Sequence, residues 1–246
     1  MSASTISVVV PTYREESYIV NTINALKKQN TWHQIEVVIA DYDSDHTQLT
    51  KRAIMNGCRD CIRQIQIVDV TKAGIGYARH VGIVSAHGEY IVCFDADCQF
   101  NEINGIELLV RGLNDSVKVT HCASIIQPDE LNNVEAQKFN ALYMARNFLL
   151  KVTKLPICFE QGLTMTKSTY LRAGGFKDVK ILEGPTLCAT IGMIYGMDSL
   201  MFVPDTVIMT SARRGVGSDG FLFDANYDIA YRQSGPVKVT NDNDIR

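Results

Sequence analysis

The chain has 246 residues, of which 46% are hydrophobic and 21% are charged, and its formal net charge is −3. This length and composition are typical of one large globular domain with a full hydrophobic core. The small net charge, without runs of like charge, argues against electrostatic capture of nucleic acid. No stretch is long and apolar enough to predict a membrane-spanning helix, and the first residues lack the basic region of a signal peptide.

The seven cysteines are scattered, and an odd number of thiols is typical of proteins in a reducing cytosol. We therefore expect a cytoplasmic protein. Cys58 and Cys61 form a C-x-x-C pair, but no second pair of cysteines or histidines lies at the spacing of a zinc site. This pair is not expected to bind metal.

Apolar runs and amphipathic segments alternate along residues 1–100. Strands are predicted at 6–10, 35–40, 65–68 and 90–94, and helices at 16–29, 47–56 and 76–86. This alternation predicts an α/β fold in which helices cover both faces of a mostly parallel sheet. In such sheets ligands bind outside the carboxyl ends of the strands.

The second half of the chain is less regular. Helices are predicted at 103–113, at 131–152 and around residue 187, and a strand is predicted at 117–126. The last residues are mostly polar, which indicates a loose C-terminal tail. We predict a single domain over residues 1–232, followed by a tail over 233–246.

Two aspartates follow the fourth predicted strand, in the sequence Tyr-Ile-Val-Cys-Phe-Asp-Ala-Asp at 90–97. Asp95 and Asp97 are two positions apart, a spacing that directs both side chains toward one cleft. Buried carboxylates repel each other and lose hydration, so they need a cation or hydrogen-bond donors nearby. A hard divalent cation that is also open to phosphate oxygens fits this pattern. The alternative is a strand that simply ends in a polar turn.

Several segments together resemble glycosyltransferase family 2 in order and spacing. They are residues 6–16, 39–47, 74–82 and 86–97, followed by Gly162 and the Ala-Gly-Gly-Phe sequence at 173–176. The resemblance implies a GT-A fold, which is a Rossmann-like α/β fold with a mostly parallel or mixed sheet. It also implies an inverting, metal-dependent transferase with a DxD motif. Such an enzyme would move a sugar from a UDP- or GDP-sugar to a hydroxyl of a glycan or lipid-linked acceptor. Residues 1–100 would bind the nucleotide sugar, and residues 101–232 the acceptor.

The same resemblance implies roles for individual residues. Asp97 is the expected ligand of Mn²⁺ or Mg²⁺, with Asp95 close to both the ribose and the ion. Asp41 would accept a hydrogen bond from the imide N–H of a uracil-type base, and Arg79 could reach a phosphate. The alternatives are that Asp41 caps a helix and that Arg79 lies at the surface. The residues expected to line the nucleotide-sugar site are Pro11, Tyr13, Glu15, Asp41, Arg79, Asp95 and Ala96.

The position of the catalytic base departs from the family pattern. Inverting transfer needs a carboxylate that takes the proton of the acceptor hydroxyl. The family places it in a Glu-Asp pair after the Gly-Gly-Phe sequence, commonly with the Asp as base, whereas here Glu183 is followed by Gly184. We expect Glu183 to be the base. The alternatives are Asp178 in a shifted register, or impaired catalysis, in which case the chain would be a non-catalytic nucleotide-sugar-binding module.

Two basic segments remain. Arg213 and Arg214 precede a Gly-x-Gly turn and are expected to cover the diphosphate as a flap, because arginine forms bidentate bonds with phosphate oxygens. A solvated basic turn is the alternative. Residues 138–159 mix apolar and basic side chains, which favours a helix packed on the sheet with its charges in water. The same pattern can also make peripheral contact with an anionic membrane.

Other α/β classes fit the sequence less well. A haloacid dehalogenase-like phosphatase would carry its D-x-D motif near the N-terminus. A sugar-phosphate nucleotidylyltransferase would need a glycine-rich loop after the first strand, and a dinucleotide oxidoreductase would need G-x-G-x-x-G there. The segment after the first strand, Pro-Thr-Tyr-Arg-Glu at 11–15, matches neither loop.

Overall fold

The computed structural model describes residues 4–43, 47–60, 64–153, 160–177 and 182–213. Within these residues, eight strands form one sheet. The strands are β1 (Thr5–Thr12), β2 (Gln34–Asp41), β3 (Ile65–Asp69), β4 (Tyr90–Cys93), β5 (Gln99–Phe100), β6 (Val119–Ile126), β7 (Thr164–Thr166) and β8 (Leu200–Thr210). The helices are α1 (Ile19–Lys27), α2 (Leu49–Gly57), α3 (Ile75–Ser85), α4 (Gly105–Arg111), α5 (Val134–Val152), α6 (Lys167–Arg172) and α7 (Glu183–Tyr195).

The sheet is mixed, with the strand order β3-β2-β1-β4-β7-β6-β8-β5. β1 lies parallel between β2 and β4, and β2 pairs in parallel with β3. β7 is antiparallel to both β4 and β6, while β6 and β8 are parallel and β5 is antiparallel to β8. Because β1, β2 and β4 run in the same direction, their carboxyl ends open on one edge of the sheet. Thr12 and Asp41 are register partners at that edge.

β1 is buried on both faces, as its continuous apolar sequence predicts for a central parallel strand. Its side chains alternate between two core clusters. Val8 and Val10 pack in one cluster with α1, and Val9 packs in the other with Ile83 of α3. All of these side chains are 0% exposed. The strand therefore forms a rigid centre that fixes the position of the sheet edge.

α3 lies close to the sheet because of Gly82. A Cβ added at Gly82 would be 2.5 Å from Cγ1 of Val9 and 3.2 Å from Cβ of Ala40, so the helix could not approach as closely with a larger residue. Arg79 is three residues earlier in the same helix and therefore lies on the same helix face. The close approach of α3 places the Arg79 side chain beneath the edge where β4 ends.

The strands and helices predicted over residues 1–100 are confirmed, with small differences in their ends. α1 begins at Ile19 rather than at residue 16, because Tyr18 and Ile19 donate backbone hydrogen bonds to the carbonyl of Glu15 and form a turn before the helix. The predicted helices at 103–113 and 131–152 and the strand at 117–126 are also present, as α4, α5 and β6. The helix around residue 187 is α7.

The sequence did not predict β5, β7, β8 or α6. β8 is the longest strand, with 11 residues, but Pro204 and Asp205 interrupt its apolar pattern. The register with β6 shifts at this point, since Cys122 pairs with Val203 whereas Ala123 pairs with Val207. The strand thus accommodates the proline in an irregularity of the pairing. The predicted tail at 233–246 lies outside the described residues. In the part of the chain that is described, none of the helices has both the length and the apolarity to cross a bilayer.

Candidate active site

The two aspartates after β4 are buried at the edge of the sheet. Asp95 is 5% exposed and Asp97 is 6% exposed. Carboxylate oxygens of both residues and the sulfur of Cys98 lie within 4.8 Å of one another. Between the aspartates, Ala96 is also buried, and its carbonyl accepts a hydrogen bond of 2.6 Å from the Thr22 hydroxyl of α1. The turn is therefore fixed in the conformation that brings the two carboxylates together.

Arg79 joins Asp95 to Glu183. Nη2 of Arg79 donates to Oδ1 of Asp95 at 2.5 Å, and Nη1 donates to Oε1 of Glu183 at 2.6 Å. The second oxygen of Asp95 accepts a hydrogen bond of 2.8 Å from the side-chain amide of Gln161. The Arg79 side chain is 1% exposed, so this is a buried ionic network rather than a surface ion pair. The alternative of a surface arginine is excluded.

The electrostatics of this network are dominated by burial. Burial alone would lower the pKa of Arg79, but the negative charges of Asp95 and two neighbouring glutamates outweigh it and raise the pKa above its ordinary value. Burial also raises the pKa of Glu183, and the charge of Glu160 raises it further, although Arg79 acts in the opposite direction. The arginine therefore stays charged, and it holds more than one carboxylate in place.

Asp97 is paired with Arg213, which lies three residues after the end of β8. Nε of Arg213 donates to Oδ2 of Asp97 at 2.8 Å, and Nη2 donates to Oε1 of Glu15 at 2.7 Å. The guanidinium also lies 4.5 Å from the ring centroid of Tyr18. The Arg213 side chain is 27% exposed, in contrast to Arg79. This second arginine joins the loop after β1 to the aspartates after β4, so both loops contribute to one charged site.

The donor atoms at the aspartates fit a hard divalent cation. Carboxylate oxygens are the ligands that Mg²⁺ and Mn²⁺ prefer. The third nearby atom, the sulfur of Cys98, does not fit such an ion, because burial raises the pKa of this thiol well above its ordinary value and the neutral thiol points toward Oδ1 of Asp97 at 3.7 Å. Asp95 and Asp97 are therefore the residues here that would hold a metal.

Asp41 lies at the end of β2, next to Thr12 of β1. The Thr12 hydroxyl donates to Oδ1 of Asp41 at 2.7 Å, whereas the buried Oδ2 has no hydrogen-bond partner in the described residues. Burial raises the pKa of Asp41. The alternative that Asp41 caps a helix is excluded, because α2 begins after Gln48. An acceptor atom without a partner at a strand end is what a site for a ligand N–H would present.

An aromatic pair lies beside Asp41. The rings of Tyr13 and Tyr42 have centroids 5.6 Å apart, and Tyr13 is 47% exposed. Pro11, which precedes Thr12 in β1, is buried. The Arg14 guanidinium lies over the same ring, with its Cζ 5.3 Å from the centroid of Tyr13. The predicted role of Tyr13 in a nucleoside pocket stays a prediction.

The structure thus brings most of the predicted site residues to one edge of the sheet. They are Pro11, Tyr13, Glu15, Asp41, Arg79, Asp95, Ala96, Asp97, Glu183 and Arg213. Arg214 and the alternative base Asp178 lie outside the described residues. The Arg79 guanidinium contacts two carboxylates in the structure, and its contact with a phosphate stays a prediction. Gln161 and its neighbour Glu160 were not predicted from the sequence, because no local pattern marks them.

The comparisons with known proteins agree with this architecture. The family model described as Glycosyl transferase family 2 matches residues 7–170. Low-salt glycan biosynthesis hexosyltransferase Agl6 of Haloferax volcanii is 29% identical over 205 residues, which cover 74% of this chain and 47% of that protein. Poly(ribitol-phosphate) beta-N-acetylglucosaminyltransferase TarS of Staphylococcus aureus is 31% identical over 97 residues, which cover 39% of this chain and 17% of that protein. The chain thus spans less than half the length of both curated relatives.

Solved structures show the same fold. The mannosyltransferase PcManGT from Pyrobaculum calidifontis, in complex with GDP-Man and Mn²⁺, superposes with a TM-score of 0.65 at 19% identity. The match covers 89% of this chain and 59% of the mannosyltransferase chain. Glucosyl-3-phosphoglycerate synthase from Mycobacterium tuberculosis, in complex with Mn²⁺, UDP and glucosyl-3-phosphoglycerate, superposes with a TM-score of 0.57 at 19% identity. The match covers 84% of this chain and 72% of the synthase chain. The GT-A fold expected from the sequence is confirmed.

Proposed function

The chain belongs to glycosyl transferase family 2, and from this membership we propose that it transfers a sugar from a nucleoside-diphosphate sugar to an acceptor hydroxyl, with inversion at the anomeric carbon and with a divalent cation. The observation that carries the proposal is the pair of buried aspartates after β4, each held by its own arginine. A site of this kind presents fixed charges where a diphosphate and its cation would bind. The acceptor is a glycan or a lipid-linked group.

Asp97 would hold the cation, with Asp95 beside it. A bound Mn²⁺ or Mg²⁺ supplies Lewis acidity that offsets the negative charge of a departing diphosphate. Asp95 is held rigidly by Arg79 and Gln161, so its position does not depend on a ligand. Asp97 is bonded to the more exposed Arg213, whose guanidinium would also donate to phosphate oxygens of the donor. The flap predicted at Arg213 and Arg214 is therefore retained in the proposal.

The nucleoside would bind at the ends of β1 and β2. Oδ2 of Asp41 is a buried acceptor without a partner in the described residues, which suits an N–H group of a base. The half-exposed ring of Tyr13 would pack against the base, and Glu15, two residues later, accepts a hydrogen bond from Arg213. Uracil and guanine both carry such an N–H, and the solved neighbours contain both UDP and GDP-Man. Both nucleotides therefore belong in the test.

The rival proposal is a non-catalytic nucleotide-sugar-binding module, which the sequence raised because Gly184 stands where an aspartate was expected. The relatives named above carry transferase names, which favours the enzyme. Turnover separates the two proposals. An active transferase releases nucleoside diphosphate from the donor, whereas a binding module returns the donor intact.

The decisive experiment is a panel of UDP- and GDP-sugars incubated with the protein and Mn²⁺. We expect one donor to raise the melting temperature, because a ligand that binds only the folded state stabilises it, and the same donor to release nucleoside diphosphate. D97N should lose both effects, and so should the parent protein with chelator. D115N, which removes a carboxylate from an exposed position, is the matched control and should keep both. Full turnover by D97N in the presence of chelator would refute the proposed function.

The proposed membrane contact through residues 138–159 has mixed support. α5 packs on β6 through Tyr143 and Leu150, as the sequence pattern favoured, whereas Met144 and Phe148 are 59% and 64% exposed. Residues 154–159 lie outside the described residues. An exposed apolar strip beside basic residues is compatible with shallow insertion into an anionic surface, where a lipid-linked acceptor would be found.

A further inference from the structure

The space beside Gly184 is filled by another carboxylate. The backbone N–H of Gly184, in the first turn of α7, donates a hydrogen bond of 2.7 Å to Oε1 of Glu160. A Cβ added at Gly184 would lie 2.5 Å from that oxygen, 3.0 Å from Cδ and 3.2 Å from Cγ of Glu160. A side chain at position 184 would therefore displace the Glu160 carboxylate from its present position. The missing aspartate and the glutamate occupy one place in the fold.

Glu160 is fixed at the same edge of the sheet as the aspartates. Its carbonyl accepts a hydrogen bond from the N–H of Leu163, and the N–H of Gly162 donates to the carbonyl of Cys93, at the end of β4. The next residue, Gln161, donates to Asp95. The segment that carries Glu160 is thus tied to the strand that precedes the aspartates, and the negative charge of Glu160 lies close enough to Arg79 and Glu183 to raise the pKa of both.

Glu160 is more accessible than Glu183. Glu183 is 5% exposed and its Oε1 accepts a hydrogen bond from Arg79, so its charge is used to hold a buried cation. Glu160, by contrast, is partly exposed. Its carboxylate accepts a hydrogen bond from the backbone N–H of Gly184, in the first turn of α7, where the helix N–H groups have no partner within the helix.

We propose that Glu160 is the general base of the sugar transfer and replaces the aspartate that position 184 lacks, while Glu183 positions Arg79. The proposal rests on the proposed function. In the step, the proton of the acceptor hydroxyl moves to a Glu160 oxygen, and the acceptor oxygen forms its bond to the anomeric carbon. The bond between that carbon and the diphosphate oxygen breaks, and its electron pair leaves with the nucleoside diphosphate. The proton on Glu160 is then released to water.

The test compares E160Q with E183Q, with the transfer rate measured as release of nucleoside diphosphate from the donor found in the panel. Glutamine at 160 can still accept the hydrogen bond from Gly184, so a purely structural role of Glu160 as a cap of α7 would survive this substitution. We expect E160Q to lose about 10²- to 10⁴-fold in transfer rate. It should keep the thermal stabilisation by Mn²⁺ and nucleoside diphosphate. E183Q should retain more transfer than E160Q.

A second set of variants tests whether a carboxylate at position 184 can replace that of Glu160. G184D alone should lower the transfer rate, because its side chain would displace the Glu160 carboxylate from its present position. E160A should also lose transfer. E160A combined with G184D restores a carboxylate to the vacated space, so the double variant should transfer sugar at least about ten times faster than E160A, because one base contributes a factor of this order or more. Circular dichroism on each variant establishes that it is folded.

The outcomes distinguish the two proposals. If the parent protein turns over no donor, the proposed function and the assignment of Glu160 both fail. If the parent transfers sugar and E160Q keeps more than about a tenth of that rate, only the assignment of Glu160 fails. Loss of transfer in E183Q with retention in E160Q would return the base to Glu183, as the sequence alone suggested.

Discussion

Replacing Arg79 with methionine should cost more stability than the same replacement of Arg213, the other arginine of the site. Methionine has a similar length and is apolar, so it fills much of the same space but leaves Asp95 and Glu183 without their cation. Both carboxylates are almost completely buried, with side-chain exposures of 7% and 6%. Water therefore cannot replace the lost interaction.

The size of the effect follows from this burial. Removing one partner of a buried ion pair typically costs about 3–5 kcal/mol, because the remaining charge stays in a medium of low polarity. Here two carboxylates lose the same partner, so we expect the upper part of that range. For a domain of this size, the melting temperature should fall by about 10 °C or more. The loss should be smaller at pH 5 than at pH 8. Burial already raises the pKa of Glu183, and without Arg79 its protonation at low pH relieves the unpaired charge.

The measurement is urea unfolding followed by far-ultraviolet circular dichroism. The single tryptophan, Trp32, is 86% exposed, so its fluorescence would report unfolding poorly. R111M is the matched control, since Arg111 is exposed at the end of α4, and it should change the free energy of unfolding by no more than about 0.5 kcal/mol. A loss in R79M below about 1 kcal/mol, or equal losses at both pH values, would show that Arg79 does not balance buried carboxylates.

Three further predictions concern other parts of the molecule. D41N should gain stability relative to the parent protein as the pH rises from about 4 to neutral, because it removes a carboxylate whose pKa burial raises in the folded protein. Thermal unfolding at several pH values measures this relative gain, and an unchanged difference between the two proteins across the pH range would contradict it. G82A should lower the stability by about 1–3 kcal/mol in urea unfolding, since the new methyl group would collide with Val9 of a central strand. If α5 contacts membranes, the protein should co-sediment with anionic vesicles. F148E should reduce the bound fraction, because Phe148 is an exposed apolar side chain of α5. Absence of binding by the parent protein would exclude the contact.

The parts of the fold that could be predicted from the sequence are those in which a local pattern fixes the structure. Continuous apolar runs predicted the central strands, and helical periodicity predicted α1 to α5, because burial on one or two faces leaves a direct trace in the order of residues. β8 was missed because its apolar run is broken at Pro204 and its pairing is irregular there. β7 was missed because three residues are too few to carry a pattern.

The same reasoning applies to the site. Asp95 and Asp97 could be predicted because they directly follow a strand, and the resemblance to a family located Arg79, Glu183 and Arg213. The contacts among these residues could not be predicted. Arg79 and Glu183 are separated by 104 positions, and Asp97 and Arg213 by 116, so only the folded sheet brings them together. Local sequence patterns carry no information about such pairs.

The proposed replacement of an aspartate at position 184 by the carboxylate of Glu160 illustrates what a sequence motif leaves out. A motif records which residue type stands at which position, whereas a reaction requires a chemical group at a place in space. Gly184 therefore suggested a lost function, although the absent side chain leaves room for a carboxylate from a segment 24 positions earlier. A glycine in the first turn of a helix also leaves its backbone N–H open to such a carboxylate from outside the helix. The substitution that weakened the motif is thus the same one that allows Glu160 to occupy the site.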